Sequence, residues 1–319
     1  MSSKRVSIII PVREINDYIR ESIPYFQNLD YDDYEIIIFP DADSGEVFEK
    51  TRIIPSGHTG PAEKRDMAIQ YATGDIFAFI DDDAFPRSDW LKNAVEILQD
   101  DSIAAVGGPA ATVKEDDIRR QASGRIFESL MCSGKYCYRY KPTVRQFVDD
   151  LPTVNLLVKR DAFAAVGGFD SNYYPGEDTK LCHDIVHKLD KKIVYDPKIF
   201  VWHHRRRVYI DHLKQVANYA KHRGFFVKVL PNTSRKFAYF VPTLFVLGLI
   251  LGPILSLFFS PLWYVYISVL IVYLILGIIS LGSMKSMSLF LYSLSGLFMT
   301  HLCYGVNFMI GLLAVDLYK

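Results

Sequence analysis

Charge is nearly missing from one end of this 319-residue chain. Of 36 Lys+Arg only Lys285 and Lys319 lie beyond residue 236, and of 36 Asp+Glu only Asp316 does. That excludes an ordinary solvated surface for residues 237–319 and divides the chain into two chemically different pieces, a soluble part (1–236) and an apolar tail. Cysteine is scarce as well. Four residues without a CxxC pair offer no zinc site, fit a reducing compartment and read as packing groups. The balance of 36 basic and 36 acidic residues leaves no net charge, and no nucleic-acid partner is expected. The opening "MSSKRVSIII" has neither a leader-length apolar segment nor a cleavage site, so no signal peptide is expected.

What the tail does have is length. "FAYFVPTLFVLGLILGPILSLFF" (237–259) and "LWYVYISVLIVYLILGIISLG" (262–282) are uncharged runs of the size that crosses about 30 Å of hydrocarbon. "SLFLYSLSGLFMTHLCYGVNFMIGLLAV" (288–315) carries His301 and Asn307. It is read as a third span, with a tilted, partly interfacial helix as the alternative. The segment 203–228 holds seven Lys/Arg against one Asp, and Arg235 and Lys236 adjoin the first span. The 260–261 loop has no charge and the next loop holds Lys285. By the positive-inside rule the N-terminal part faces the cytoplasm, and three spans put Lys319 outside.

In the soluble part, "VSIIIPV", "YEIIIF", "DIFAFID" and "SIAAVGG" read as buried parallel strands. Amphipathic helices such as "GPAEKRDMAIQYATG" and "SDWLKNAVEILQD" lie between them, the second capped by Ser88 and Asp89. The expected class is α/β with β-α-β connections. Ligands of such sheets bind beyond the carboxyl ends of the strands, where Asp81, Asp82 and Asp83 fall. Three adjacent carboxylates repel one another unless cations or donors compensate them. Hard oxygen ligands suit Mg²⁺ or Mn²⁺ beside substrate phosphates, and a solvated acidic turn is the alternative.

The ordered set "VSIIIPVRE", "AEKRDMAIQYATGDIFAFIDDDAFP", "TVNLLVKRDAFAAVGGFD" and "PGEDTKLCHDI" resembles glycosyltransferase family 2 over about residues 5–225. The trailing segments, ending "THLCYGVNFMIGLL", resemble membrane-anchored members that work on lipid-linked or cell-envelope glycans. The resemblance implies a GT-A (Rossmann-like) catalytic domain in 1–236, followed by an all-α transmembrane domain in 237–319. It also implies a nucleotide-sugar donor, UDP- or GDP-linked, and a divalent cation, Mg²⁺ or Mn²⁺.

On that resemblance "DDD" takes the DxD position, with Asp83 on the metal, Asp81 at the ribose or the metal shell, and Asp82 beside the nucleotide sugar. Pro11, Arg13 and Glu14 line the nucleotide pocket and Asp41 faces the base. Lys64 and Arg65 approach diphosphate and ribose; the family's usual "RN" is "RD" here, and its "DGSSDGT" stretch is "DADSGE". His203 or His204 completes the metal shell. Arg205, Arg206, Arg207 and Arg223 meet phosphate or acceptor, with a polybasic face on anionic lipid as the alternative for the arginine run.

In "GED", an inverting transfer needs a carboxylate that takes the proton of the attacking hydroxyl. Asp178 is the expected base and Glu177 orients the acceptor or shares the role; two acids that favour a helix N-terminus are the plainer reading. A polyisoprenyl phosphate needs no such base. The motif therefore favours a hydroxyl of a lipid-linked saccharide or glycolipid over a bare lipid phosphate. The aromatic and basic stretch 124–142 is expected at the membrane surface. A processive synthase would need more spans and a "QxxRW" motif that the chain does not contain, and a non-catalytic nucleotide-sugar-binding scaffold would have lost Asp81, Asp83 and Asp178.

Overall fold

Uninterrupted apolar segments make the strands here, because a strand covered on both faces has no polar side to alternate with. The computed structural model describes residues 4–169, 173–284 and 286–317; Lys285, Lys319 and Asp170 of the "GGFD" stretch lie outside the described residues. The strands are Val6–Pro11 (β1), Tyr34–Phe39 (β2), Thr51–Ile53 (β3), Ile76–Phe79 (β4), Ala84–Pro86 (β5), Ile103–Gly107 (β6), Ala110–Thr112 (β7), Gln146–Val148 (β8), Leu156–Lys159 (β9), Lys192–Tyr195 (β10) and Val201–His203 (β11). The helices are Asp17–Gln27 (α1), Pro61–Asp66 (α2), Ala68–Tyr71 (α3), Trp90–Ile97 (α4), Ile118–Glu128 (α5), Leu130–Ser133 (α6), Arg160–Ala165 (α7), Glu177–His187 (α8), Ile210–Val229 (α9), Pro231–Ser234 (α10), Phe237–Phe258 (α11), Leu262–Leu281 (α12) and Met287–Leu313 (α13).

Two compact units result. The first comprises residues 4–111 and 138–204, and the second 112–137 and 205–317. Among the described residues the first unit holds a mixed eight-stranded sheet in the order β3-β2-β1-β4-β9-β6-β10-β8 and a three-stranded sheet in the order β5-β11-β7. β1 runs parallel to β2 and β4, with Ile9 opposite Ile37 on one side and Phe79 on the other. Every residue of β1, β2 and β4 is buried. These three strands end at one edge and deliver Val12–Glu14, Pro40–Asp41 and Asp81–Asp83 to it, the edge where open α/β sheets bind ligands.

The four strands read from the sequence, β1, β2, β4 and β6, do run in one direction, but β9 enters between β4 and β6 and runs antiparallel to both, with Leu157 opposite Ala78 and Val106. Burial on both faces makes the segments readable as strands but leaves their direction unspecified. The start of α4 is also different. Ser88 Oγ donates to Asp30 at 2.9 Å and the Asp89 carboxylate accepts from Arg87 Nη2 at 2.8 Å, so neither side chain caps the helix.

The second unit is helical. Its spine is α13, against which α5, α9 and α11 pack. Met131 in the aromatic and basic stretch is fixed within this unit: its N–H donates to Ser280 Oγ at 2.9 Å and its carbonyl accepts from His301 Nε2 at 3.1 Å. α11, α12 and α13 are long and apolar enough to cross a membrane.

Candidate active site

Each sheet-edge loop of the first unit brings one functional group. β1 ends at buried Pro11, after which Arg13 and Glu14 are exposed. The Arg13 carbonyl accepts from the Asp41 N–H at 2.8 Å, which ties the loop after β1 to the loop after β2. Lys64 on α2, only 2% exposed, donates to the Val12 carbonyl at 2.5 Å and to the Asp41 carboxylate. That hydrogen bond holds the Asp41 carboxyl below the ordinary range, and the His58 ring adds a second at 2.8 Å.

Arg65, the next residue of α2, is buried and reaches two motifs at once. Its Nη2 donates to Asp81 Oδ1 at 2.7 Å and its Nη1 to Glu177 Oε1 at 3.1 Å. Burial opposes the guanidinium charge, and the facing carboxylates Asp81 and Glu177 more than restore it, so its proton affinity rises. Asp66, where the related pattern has Asn, accepts from the Phe169 N–H at 2.8 Å. A side chain at Gly168, whose φ is +74°, would meet the Asp66 carboxylate. Asp66 thus fixes the turn before the "GED" segment.

The three aspartates that repel on paper point to different partners. Asp81 takes Arg65, Asp82 accepts from Asn16 Nδ2 at 2.6 Å, and Asp83 faces His203 Nε2 at 3.1 Å. The ligand atoms of Asp81, Asp83 and His203 lie within 4.8 Å of one another. The two adjacent histidines separate because alternate positions of an extended strand face opposite ways. His203, opposite Ala84 on β5, turns toward Asp83, whereas His204 turns to Glu21 Oε2 at 3.2 Å and to the Tyr18 ring at 5.0 Å. Two carboxylates and one imidazole are a donor set that fits a divalent cation such as Mn²⁺.

Glu177 and Asp178 open α8 behind Gly176, whose φ of +128° is a conformation open to glycine. The Asp178 carboxylate accepts from the Thr179 N–H at 2.7 Å. Burial pushes its pKa up to about 7, helped by the negative charges of Glu177 and Asp150. Asp150, which the sequence reading passed over, is 3% exposed. It accepts from Thr179 Oγ1 at 3.3 Å and lies 3.3 Å from Arg139 Nη2. Asn16 was passed over too. The doublet Asp149-Asp150, set in an otherwise apolar approach to β9, was the available signal for the first; nothing local marks the second.

Arg205, Arg207 and Arg223 are engaged within the second unit. The Arg205 N–H donates to Asp116 at 3.3 Å, and Arg207 Nε donates to Asp117 at 2.8 Å. Arg206 is exposed. Arg223 donates to Ser234 Oγ at 3.2 Å and lies over the Tyr239 ring at 5.0 Å.

Residues 7–167 match the model of Glycosyl transferase family 2. Among curated proteins, a pre-mycofactocin glycosyltransferase of Mycobacterium tuberculosis is 24% identical over 237 residues, covering 70% of this chain but 46% of that one, so the chain spans less than half the length of this relative. A glucosyl-dolichyl phosphate glucuronosyltransferase of Haloferax volcanii is 23% identical over 222 residues (62% of this chain, 69% of that one). A dolichyl N-acetyl-alpha-D-glucosaminyl phosphate 3-beta-D-2,3-diacetamido-2,3-dideoxy-beta-D-glucuronosyltransferase of Methanococcus voltae is 23% identical over 242 residues (70% and 74%). A mannosyltransferase from Pyrobaculum calidifontis, solved with GDP-Man and Mn²⁺, superimposes with a TM-score of 0.60 at 15% identity, covering 94% of this chain and 86% of that one, a likeness of fold. With the family match over half its length and a GT-A-like sheet beneath the site, the chain belongs to glycosyl transferase family 2.

Proposed function

We propose that this chain is an inverting, metal-dependent glycosyltransferase, and that it moves a sugar from a nucleotide sugar to a hydroxyl of a lipid-linked saccharide or glycolipid at the cytoplasmic membrane face. The observation that carries the reading is Asp178. A half-buried carboxylate at the mouth of α8 with a pKa of about 7 is poised to take a proton near neutral pH, as an acceptor hydroxyl requires and a lipid phosphate does not.

Asp178 removes the proton as the hydroxyl oxygen bonds to the anomeric carbon, and the bond from that carbon to the diphosphate oxygen breaks, the nucleoside diphosphate leaving with the electron pair. Glu177, held by Arg65, orients the acceptor beside it. Asp81, Asp83 and His203 hold the divalent cation, which when bound neutralises diphosphate charge. Lys64 fixes Asp41 for the base, and Pro11, Arg13, Glu14 and Asp82 complete the nucleotide pocket. Arg205, Arg206, Arg207 and Arg223 serve phosphate groups or anionic lipid. Residues 1–236 act as the catalytic domain and 237–319 as the anchor, and the basic segment 203–228 keeps the former inside.

Two relatives are named for acceptors in which a sugar already sits on dolichyl phosphate, which supports the hydroxyl acceptor. The Pyrobaculum neighbour, solved with GDP-Man, makes GDP sugars the first donors to try, ahead of UDP sugars. The test offers purified protein each donor with either dolichyl phosphate or a dolichyl-phosphate-linked monosaccharide. Transfer to the second alone is expected; transfer to the bare phosphate alone would replace this reading.

A further inference from the structure

α13 is long and apolar enough to span a membrane, but its packing is of another kind. Its course beside α9 begins where Tyr209 Oη meets Ser295 Oγ at 3.0 Å. It continues through His212 Nε2 and Thr300 Oγ1 at 2.8 Å, and reaches the point where Lys228 Nζ donates to the Ala314 carbonyl. Gly224 faces the Phe308 carbonyl and Gly311 the Lys221 carbonyl so closely that neither position has room for a Cβ. The two helices therefore run side by side for most of the 20 residues of α9, about 30 Å. α9 carries Asp211, Lys214, Lys221, Arg223 and Lys228. If α13 crossed a hydrocarbon layer of about that thickness, this charged helix would have to cross with it, against the cost of intramembrane charge.

The α11–α12 hairpin gives an independent argument. It meets α13 near its base: Thr243 Oγ1 donates to the Gly305 carbonyl at 2.8 Å, the Phe240 and Phe308 rings lie 5.0 Å apart, and Tyr273 Oη donates to His301 Nδ1 at 2.8 Å. Toward its tip Ile254, Leu257, Phe258, Tyr264 and Ile267 are exposed. The tip thus extends past the stretch where α13 accompanies the hairpin, Phe240 to Val246 on α11 and Tyr273 to Gly277 on α12. On α13 itself the exposed large apolar residues Met287, Leu291, Met299, Val306, Ile310 and Leu313 recur at helical spacing on one stripe, while Gly296, Thr300 and Phe308 face inward.

Taking α11 and α12 as spans, we propose that α13 does not cross but lies in the membrane interface beside α9. Its apolar stripe sits at the boundary between headgroups and acyl chains, and the α9 cations sit on anionic headgroups. The occupant of the stripe is the lipid that the hairpin pierces. The chain crosses twice, and its C terminus returns to the face from which α11 enters.

Epitope tags at each terminus and in the 260–261 loop of the full chain, digested by protease in sealed vesicles, test this. Both terminal tags on one face with the loop tag on the other is the expected result. Terminal tags on opposite faces mean three crossings and overturn the proposal; a loop tag on the same face as both termini removes the underlying reading of α11 and α12. If the loop insertion does not fold, the terminal tags alone still separate two crossings from three. Spin labels at Leu291, Met299, Val306 and Leu313 should report one shallow depth. A graded depth from label to label would equally overturn it.

Discussion

Arg65 joins Glu177 across 112 residues of sequence, at 3.1 Å, with both side chains about 5% exposed. The same guanidinium holds Asp81 at 2.7 Å, so one cation ties the "DDD" and "GED" motifs together. Arg65→Met would leave buried Glu177 without its counter-charge. Removing one partner of a buried pair costs about 3–5 kcal/mol. Denaturant unfolding of the variant should show a loss of that order, and a loss below about 1 kcal/mol would mean that the pair contributes little to holding the two motifs.

The separation of His203 from His204 gives a paired test of the metal site. Chelation should abolish transfer, with Mg²⁺ or Mn²⁺ restoring it, and Asp83→Asn should reproduce the loss without unfolding. His203→Ala should raise the metal concentration needed for half-maximal rate and weaken metal-dependent donor binding. His204→Ala, which removes a contact to Glu21, should leave the metal requirement where it was. Calorimetric titration of metal and donor into each variant reads the difference; full activity in excess EDTA, or an equal effect at both histidines, contradicts the assignment.

Asp178 should act in chemistry and little in donor affinity. As the proposed base it acts in its ionised form, and its folded pKa is raised to about 7, so kcat should be low in acid and rise through an apparent midpoint near pH 7. Asp178→Asn should cut kcat by roughly 10²- to 10⁴-fold with donor binding nearly unchanged. Near-normal transfer by that variant would return the bare lipid phosphate as acceptor.

How much of this could be read from the chain depends on where each signal resides. β1, β2, β4 and β6 were legible because four apolar runs are bounded by polar turns, and "DDD" was legible because three like charges at a strand end demand compensation. The direction of β9 was not, since a strand buried on both faces carries no alternation to orient it. His203 and His204 look alike in sequence, and only the pairing of β11 with β5 tells them apart. The link of Arg139 and Asp150 to the "GED" motif was not legible for a different reason: it comes from Thr179 and Asp178, which the fold brings to them from some 30 residues away in the case of Asp150. Apolar length made three tail segments resemble spans, while the companion helix α9, whose charges bear on the third, announces itself only through packing.

Asp150 should tune Asp178 through charge and not through shape. It is 3% exposed and lies against Thr179 Oγ1 and Arg139, and its charge raises the pKa of Asp178 together with burial and Glu177, while Arg139 lowers it. Cys182, another titratable group facing these acids, has its thiol pushed well up by burial and by Asp150, so it stays neutral. Asp150→Asn keeps an oxygen acceptor for Thr179 but removes a negative charge and leaves Arg139 to act on Asp178 unopposed. Both changes make the Asp178 proton easier to lose, so the midpoint of the kcat profile should move below 7, toward the ordinary carboxylate range. Linkage has the same sign. With its folded pKa raised, protonated Asp178 contributes stability that is present below its unfolded pKa and lost as pH rises through about 7, and in the variant that loss should be complete at lower pH. Comparing the pH dependence of kcat and of unfolding in the two proteins reads both effects. A variant that is slower at every pH with an unshifted midpoint would show that Asp150 supports the loop without tuning the base.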